Sequence, residues 1–216
     1  GVNYQLAKAT FLRTSWGQGY RFPSIAELFI ETEVASGIYV FQNPELKPED
    51  GWSSEVAIKQ GFAFGNWTGY LDVAAFIMRY NNMMEFSFGQ WQLPTADNLG
   101  IGFKSINIGN TEISGLEFSI AGQGKINQNE LNFIGGYTYI NAIPKDPTTS
   151  YGQDINGTEL TYYNTSSLDS STLFLKYRHE HVVKMDLEFK HSRFALGTSL
   201  KYNSFMKNID AIFASE

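Results

Sequence analysis

The stretch Lys184-Met185-Asp186-Leu187-Glu188-Phe189-Lys190 alternates a charged and a large apolar side chain at every step. In an extended chain successive side chains point to opposite faces, so this stretch is a strand with one greasy side and one charged side. The next stretch repeats the rule: Phe194, Leu196, Thr198, Leu200 and Tyr202 share one face, and Ala195, Gly197, Ser199 and Lys201 the other. At least six stretches of this kind recur along the chain. A chain built this way forms either a half-buried sheet or the wall of a membrane barrel.

Composition narrows the field. A length of 216 residues at 43% hydrophobic suits one large domain, and 17 Phe, 12 Tyr, 4 Trp and 20 Gly favour strands and turns over helices. With no cysteine there is neither a disulfide framework nor a thiolate metal site. A formal charge of −6 lacks the basic patch that phosphate contacts require, so nucleic acid is not an expected partner. The longest apolar run, Val73-Ala74-Ala75-Phe76-Ile77-Met78, is six residues, whereas a spanning helix needs roughly 20. Contact with a bilayer core would therefore require a closed barrel, the other structure that satisfies every backbone polar group in lipid.

Period-two patterning and turn residues predict seven strands, near 4–16, 52–64, 67–80, 108–121, 130–141, 173–190 and 194–206. The connections alternate in length. Short ones fall at 64–67, 122–129 and 191–193, and long ones cover about 17–51, 81–107 and 142–172. Such a rhythm puts tight turns at one rim and long loops at the other, as in bacterial outer-membrane barrels. In the fourth strand Leu116, Phe118 and Ile120 oppose Gly115, Glu117 and Ser119, and in the fifth Leu131, Phe133, Tyr137 and Tyr139 fall together. The third strand is apolar on both faces, and its outward side stays open. Glu117, Asp186 and Glu188 are expected on the lumen side as a solvated charged wall.

The segment Ser15-Trp16-Gly17-Gln18-Gly19-Tyr20-Arg21-Phe22-Pro23-Ser24-Ile25-Ala26-Glu27-Leu28-Phe29 is followed, after an insert, by Asn43-Pro44-Glu45-Leu46-Lys47-Pro48-Glu49. This ordered pair resembles the barrel region of TonB-dependent outer-membrane receptors. Asn82-Met83-Met84-Glu85-Phe86, Ile113-Ser114-Gly115-Leu116-Glu117 and Gly136-Tyr137-Thr138-Tyr139 add to the likeness, and Tyr202 to Asp210 resembles the Bacteroidetes branch of the family. The resemblance implies an all-β fold: antiparallel up-and-down strands forming part of a large transmembrane β-barrel in the bacterial outer membrane, incomplete in this chain. It also implies outer-membrane lipid, a plug domain missing here, the TonB energy-transducing complex acting through that plug, and a small-molecule ligand such as an iron chelate or cobalamin.

The family motif has a mainly structural reading. Pro23, Pro44 and Pro48 fix φ and withhold N–H donors, ending sheet ladders. Ser24 and Glu27 have the spacing of a capping box, and Arg21 has Glu27 or a lumen carboxylate as partner. Asn43, Lys47 and Glu49 complete the motif. Residues 1–216 are read as a fragment of a single barrel domain, with the plug and the closing strands absent, since an odd count of seven does not close a single-chain bacterial barrel. Two free edges in lipid would cost on the order of tens of kcal/mol.

Candidates for chemistry are few. His179-Glu180-His181 puts two imidazoles on one side of an extended chain, but the stretch is read as a polar strand entry and no metal site is assigned. Neither a nucleophile elbow nor a phosphate loop occurs, and the chain is not expected to be an enzyme. No cofactor is expected. The loop aromatics Phe41, Trp91, Tyr151, Tyr162 and Tyr163 are the candidates for ligand contact or for packing one loop on another. Two sequons, at Asn156 and Asn164, are read as turns. The expected function is one part of an active-transport receptor for a scarce nutrient; a passive porin and a soluble secreted β-sandwich that binds glycans stay open as alternatives.

Overall fold

Eight strands pair edge to edge to form one antiparallel wall, in the order β1 (Val2–Ala7), β2 (Thr10–Arg21), β5 (Glu49–Phe64), β6 (Trp67–Asn81), β9 (Thr111–Ile126), β10 (Asn129–Pro144), β13 (His181–His191) and β14 (Phe194–Asn203). The protein is seen in a computed structural model that describes residues 1–167 and 173–213. Residues 168–172, the end of the third predicted long connection, and the terminal Ala214-Ser215-Glu216 lie outside the described residues. The sheet is open, with β1 and β14 as its two edges.

The wall has eight strands rather than the expected seven. The stretch predicted as one strand over 4–16 is a hairpin, with Val2 opposite Thr14 and a turn at Lys8 and Ala9. The last two predicted strands are shorter, beginning at His181 and ending at Asn203, and the turn expected over 122–129 shrinks to Asn127 and Gln128. All four tight turns still share one rim. Gly65, Asn127 and Ser192 open three of them at φ of 57°, 57° and 52°, a left-handed conformation that lets adjacent strands reverse within two residues.

Register assigns the faces. Directly paired residues share a face, so Leu196, Phe189, Leu131, Gly124 and Trp67 lie on one side, as do Leu200, Met185, Gly135, Ile120, Leu71, Gln60 and Thr10. This side carries large apolar residues from every wall strand and puts Leu71, Val73, Ala75 and Ile77 of β6 outward. Aromatics concentrate at its two margins: Phe62, Phe64, Trp67, Phe133 and Phe194 near the tight turns, and Trp16, Tyr20, Trp52, Tyr137 and Tyr202 near the other rim. An apolar band between aromatic girdles is the outer surface of a membrane barrel. Among the described residues no second layer covers it: Leu196 is 75% exposed, which removes the sandwich alternative.

On this outer side several aromatic rings lie over glycines of neighbouring strands. A Cβ placed on Gly124 would meet Trp67 at 2.2 Å, one on Gly122 would meet Phe133 at 2.7 Å, and one on Gly69 would meet Phe62 at 2.6 Å. Rings laid over bare backbone restore the contact that glycine gives up. The opposite side is charged, with Arg13 bridging Asp72 at 3.3 Å and Glu55 at 3.8 Å, and with Glu117, Asp186 and Glu188 on it as expected.

The long connections are structured. The first contains α1 (Ile25–Phe29), β3 (Thr32–Ala35) and β4 (Ile38–Phe41); the second contains β7 (Met84–Gln90) and β8 (Ile101–Asn107). These four strands form their own sheet, β3-β4-β8-β7, in which β4 and β8 run parallel, Ile38 facing Ile101 and Phe41 facing Lys104. The strictly up-and-down expectation therefore holds for the wall and not for its loops. The third connection holds β11 (Ser150–Gln153), β12 (Glu159–Thr161) and α2 (Tyr162–Thr165), and a short 3-10 turn, Ala211–Phe213, follows β14. The packed core lies here: Met83, Ile106, Ile108, Tyr162, Phe174 and Leu175 are buried with Ala142, against Tyr80, Ile113 and Ile140. The last four project from the inner side of the wall, so the loops fold inward over the lumen face.

Candidate functional site

The family motif forms the hinge between wall and loops. Ser24 caps α1, its hydroxyl accepting from Glu27 N at 3.2 Å while its own N–H donates to Glu27 Oε2 at 2.7 Å. The Arg21 guanidinium, at the inward-facing end of β2, bridges Glu27 at 3.1 Å and Glu49 at 3.2 Å. Burial tends to raise the Glu27 pKa, but the Ser24 amide and hydroxyl and the Arg21 charge outweigh it and hold the carboxyl below the ordinary 4.5. Glu49 also accepts from the Met84 amide at 2.7 Å, which ties β7 to the hinge. Asn43 donates to Ser105 O at 2.9 Å, and Lys47 exchanges two backbone bonds with the Asn107 amide, each 2.9 Å. Pro23 precedes the cap, Pro44 sits in a turn and Pro48 directly precedes β5.

Between the three long connections lies a cleft of about 530 Å³. Asn43, Glu45 and Lys47 come from the first, Trp91, Lys104 and Asn107 from the second, and residues 149–153 with Tyr151 from the third. The amides of Asn43 and Asn107 are spent on the backbone, and Trp91 Nε1 donates to Gly102 O at 3.0 Å. Besides these, the cleft presents the Trp91 and Tyr151 rings, which also pack against the loop core, the Lys47 and Lys104 ammonium groups, the Glu45 carboxylate, and the side chains of Asn82 and Thr149. The Lys104 ammonium lies 5.4 Å from the centre of the Trp91 ring, and burial lowers its pKa against the opposing charge of Glu45.

The structure divides the five loop aromatics. Trp91 and Tyr151 are brought together in the cleft. Phe41 is 3% exposed and Tyr162 is 0% exposed; both rings fill the interior of the loop layer. The Tyr162 hydroxyl accepts the Lys176 amide, and burial, reinforced by the charge of Glu85, pushes its pKa far up. Tyr163 is exposed on α2, apart from the cleft. Of the two sequons, Asn156 lies in the turn between β11 and β12, and Asn164 lies within α2 and caps its start. His179 and His181 are engaged separately, His179 Nδ1 with Ser204 O at 2.6 Å and His181 Nδ1 with the Tyr137 hydroxyl at 2.9 Å. Among the described residues no cluster of three or more His, Cys, Asp or Glu has the geometry to hold a metal.

Sequence reasoning did not single out Lys104, Asn107, Lys176 or Asp210, or the Glu85 carboxyl. One signal was present: Met84-Glu85-Phe86-Ser87-Phe88 alternates like any wall strand.

Residues 1–211 match the family described as TonB dependent receptor-like, beta-barrel. The chain belongs to that family. It is a family of outer-membrane transport proteins rather than of enzymes, and the apolar band described above is its face to the outer membrane. No curated protein matches the sequence. Among solved structures, the hemophore receptor HasR of Serratia marcescens, in a double mutant complexed with its hemophore HasA and heme, superposes with a TM-score of 0.59 at 15% identity, over 96% of this chain and 32% of that one. The copper transporter OprC matches with a TM-score of 0.52 at 12% identity, over 92% of this chain and 25% of that one. The outer membrane transporter YddB of Escherichia coli matches at 0.51 and 13%, over 92% and 27%. At these identities the likeness concerns the fold. The chain spans about a third or less of the length of these structures.

Proposed function

We propose that this chain is one sector of the barrel of an outer-membrane active transporter, comprising eight wall strands and the outer loops above them, and that a plug domain and further strands complete the barrel. The inward-folded loop layer carries this reading: three connections from one rim converge on a cleft over the lumen face, where a capture site has to be. In this scheme the TonB complex, acting through the plug, supplies the energy.

The cleft supports an anionic ligand with planar groups, such as a ferric chelate. Lys47 and Lys104 outnumber Glu45, and Trp91 and Tyr151 offer ring faces on which an aromatic chelator stacks. The test is binding of an anionic ferric chelate to the purified full-length protein. Lys104→Ala and Trp91→Ala should each weaken binding by about tenfold, the worth of one charge-assisted or stacking contact. Unchanged binding in both would move the ligand out of this cleft, and uptake that persists without TonB would remove the active-transport reading.

A further inference from the structure

Lys176 and Asp210 form an ion pair of 2.7 Å inside the loop layer, with side chains 1% and 2% exposed. Asp210 also accepts from Ser87 Oγ at 3.2 Å, the Phe88 amide at 3.1 Å and the Tyr177 hydroxyl at 2.8 Å. Lys176 donates in addition to Thr165 Oγ1 at 3.1 Å. This knot joins β7, α2, the segment before β13 and the segment after β14, parts of the chain up to 123 residues apart.

One carboxyl group stands outside the network. Glu85 of β7 is 9% exposed, and both its oxygens are sealed from solvent; among the described residues it has no ion-pair partner, and only the Tyr162 hydroxyl, which accepts the Lys176 amide, leans on the carboxyl and opposes the effect of burial. Lys176, Arg178 and Asp210 are the charged groups around it, and Tyr151, Tyr162 and Tyr177 the titratable hydroxyls. Lys176 is already held by Asp210, and no cation lies within ion-pair distance of Glu85 among the described residues. Burial pushes the Glu85 carboxyl up to about 7, against the opposing charges of Lys176 and Arg178. A neutral acid tolerates this place, whereas an anion there must draw in water or take Lys176 from Asp210. The strand it sits on is held on either side of it, at Met84 by Glu49 of the hinge and two residues on, at Ser87, by Asp210 of the knot.

We propose that β7 is a proton-controlled latch on the loop layer. With Glu85 protonated, the knot holds the second and third connections together over the lumen face. When Glu85 loses its proton to water, the knot gives way and the loops beside the cleft loosen. The sign follows from linkage: a carboxyl whose folded value is raised favours the closed state below its unfolded value, and that advantage is lost as pH rises to about 7.

Hydrogen exchange of the full-length protein in detergent, followed from about pH 5 to about pH 8 and corrected for intrinsic rates, tests this. Protection over 84–90, 173–177 and 206–210 should fall by up to about tenfold per pH unit as pH climbs toward 7, and then level off. Glu85→Gln, which mimics the neutral acid, should stay protected throughout. Flat protection in the wild type, or the same fall in Glu85→Gln, would overturn the latch. The readout is local protection rather than uptake, so the result stands apart from the transport reading.

Discussion

The Trp67 indole lies across the backbone of Gly124 so closely that a Cβ on that glycine would sit 2.2 Å from the ring. The two residues are directly opposed in the β6 and β9 ladder, so neither can step aside without breaking register. Gly124→Ala should therefore cost about 1–3 kcal/mol of overpacking and lower the yield of assembled barrel. Adding Trp67→Ala should restore part of that loss. Heat-modifiability of the full-length protein on gels reads both, and a fully assembled, equally stable Gly124→Ala protein would contradict the contact.

Leu196 and Ile134 are both apolar and well exposed, at 75% and 61%, but the register puts them on opposite sides of the wall. Arginine at Leu196 meets hydrocarbon one step inside the Phe194 girdle and should cost about 1–2 kcal/mol, between the midplane and interfacial values. Arginine at Ile134 joins Asp186, its direct partner on the charged side, and should be tolerated. Folding into lipid vesicles with a urea titration compares the two, and equal penalties would mean that the faces are misassigned.

Acid should loosen the first long connection before the wall. The Glu27 carboxyl is held below 4.5, so its contribution is complete above that value and disappears as pH falls through the depressed folded value. Glu27→Gln should remove this acid step and leave the chain around α1 more open to protease at neutral pH. Arg21→Ala should lose only about 1 kcal/mol, because the guanidinium is half exposed to water.

Breaking the buried pair should matter more. Asp210→Asn strands the Lys176 ammonium in a dry interior and should cost the loop layer about 3–5 kcal/mol. Adding Lys176→Met to Asp210→Asn should recover much of that, because the stranded charge is gone while the amide oxygen still accepts from the Phe88 amide and the Tyr177 hydroxyl. Proteolysis of the loops in an otherwise intact barrel measures the difference, and an Asp210→Asn protein as resistant as wild type would show that the pair holds nothing.

The outer face of β13 and β14 was legible because nothing packs on it, so burial never blurred the alternation. In β6 the same reading stalled. There Phe76 and Tyr80 are apolar or aromatic on the inner side, Tyr80 because the loop core rests on it and Phe76 because it covers Gly115. The hairpin at Lys8 and Ala9 escaped notice because no Gly, Asn or Pro marks its turn. The loop strand β4 was invisible for another reason: it finds a ladder partner in β8, about sixty residues onward, and a segment of four residues carries no period of its own. Capping by Ser24 is local and was readable, whereas the Lys176–Asp210 pair and the isolated Glu85 exist only through contacts between distant segments.

The parallel ladder between β4 and β8 has a consequence for how such a mouth can change. Because Ile38 to Phe41 run in register with Ile101 to Lys104, one inserted residue in either segment would turn its side chains to the wrong surface unless the other shifted with it. The first two connections are therefore geometrically coupled, and neither can change length within this ladder without a matching shift in the other.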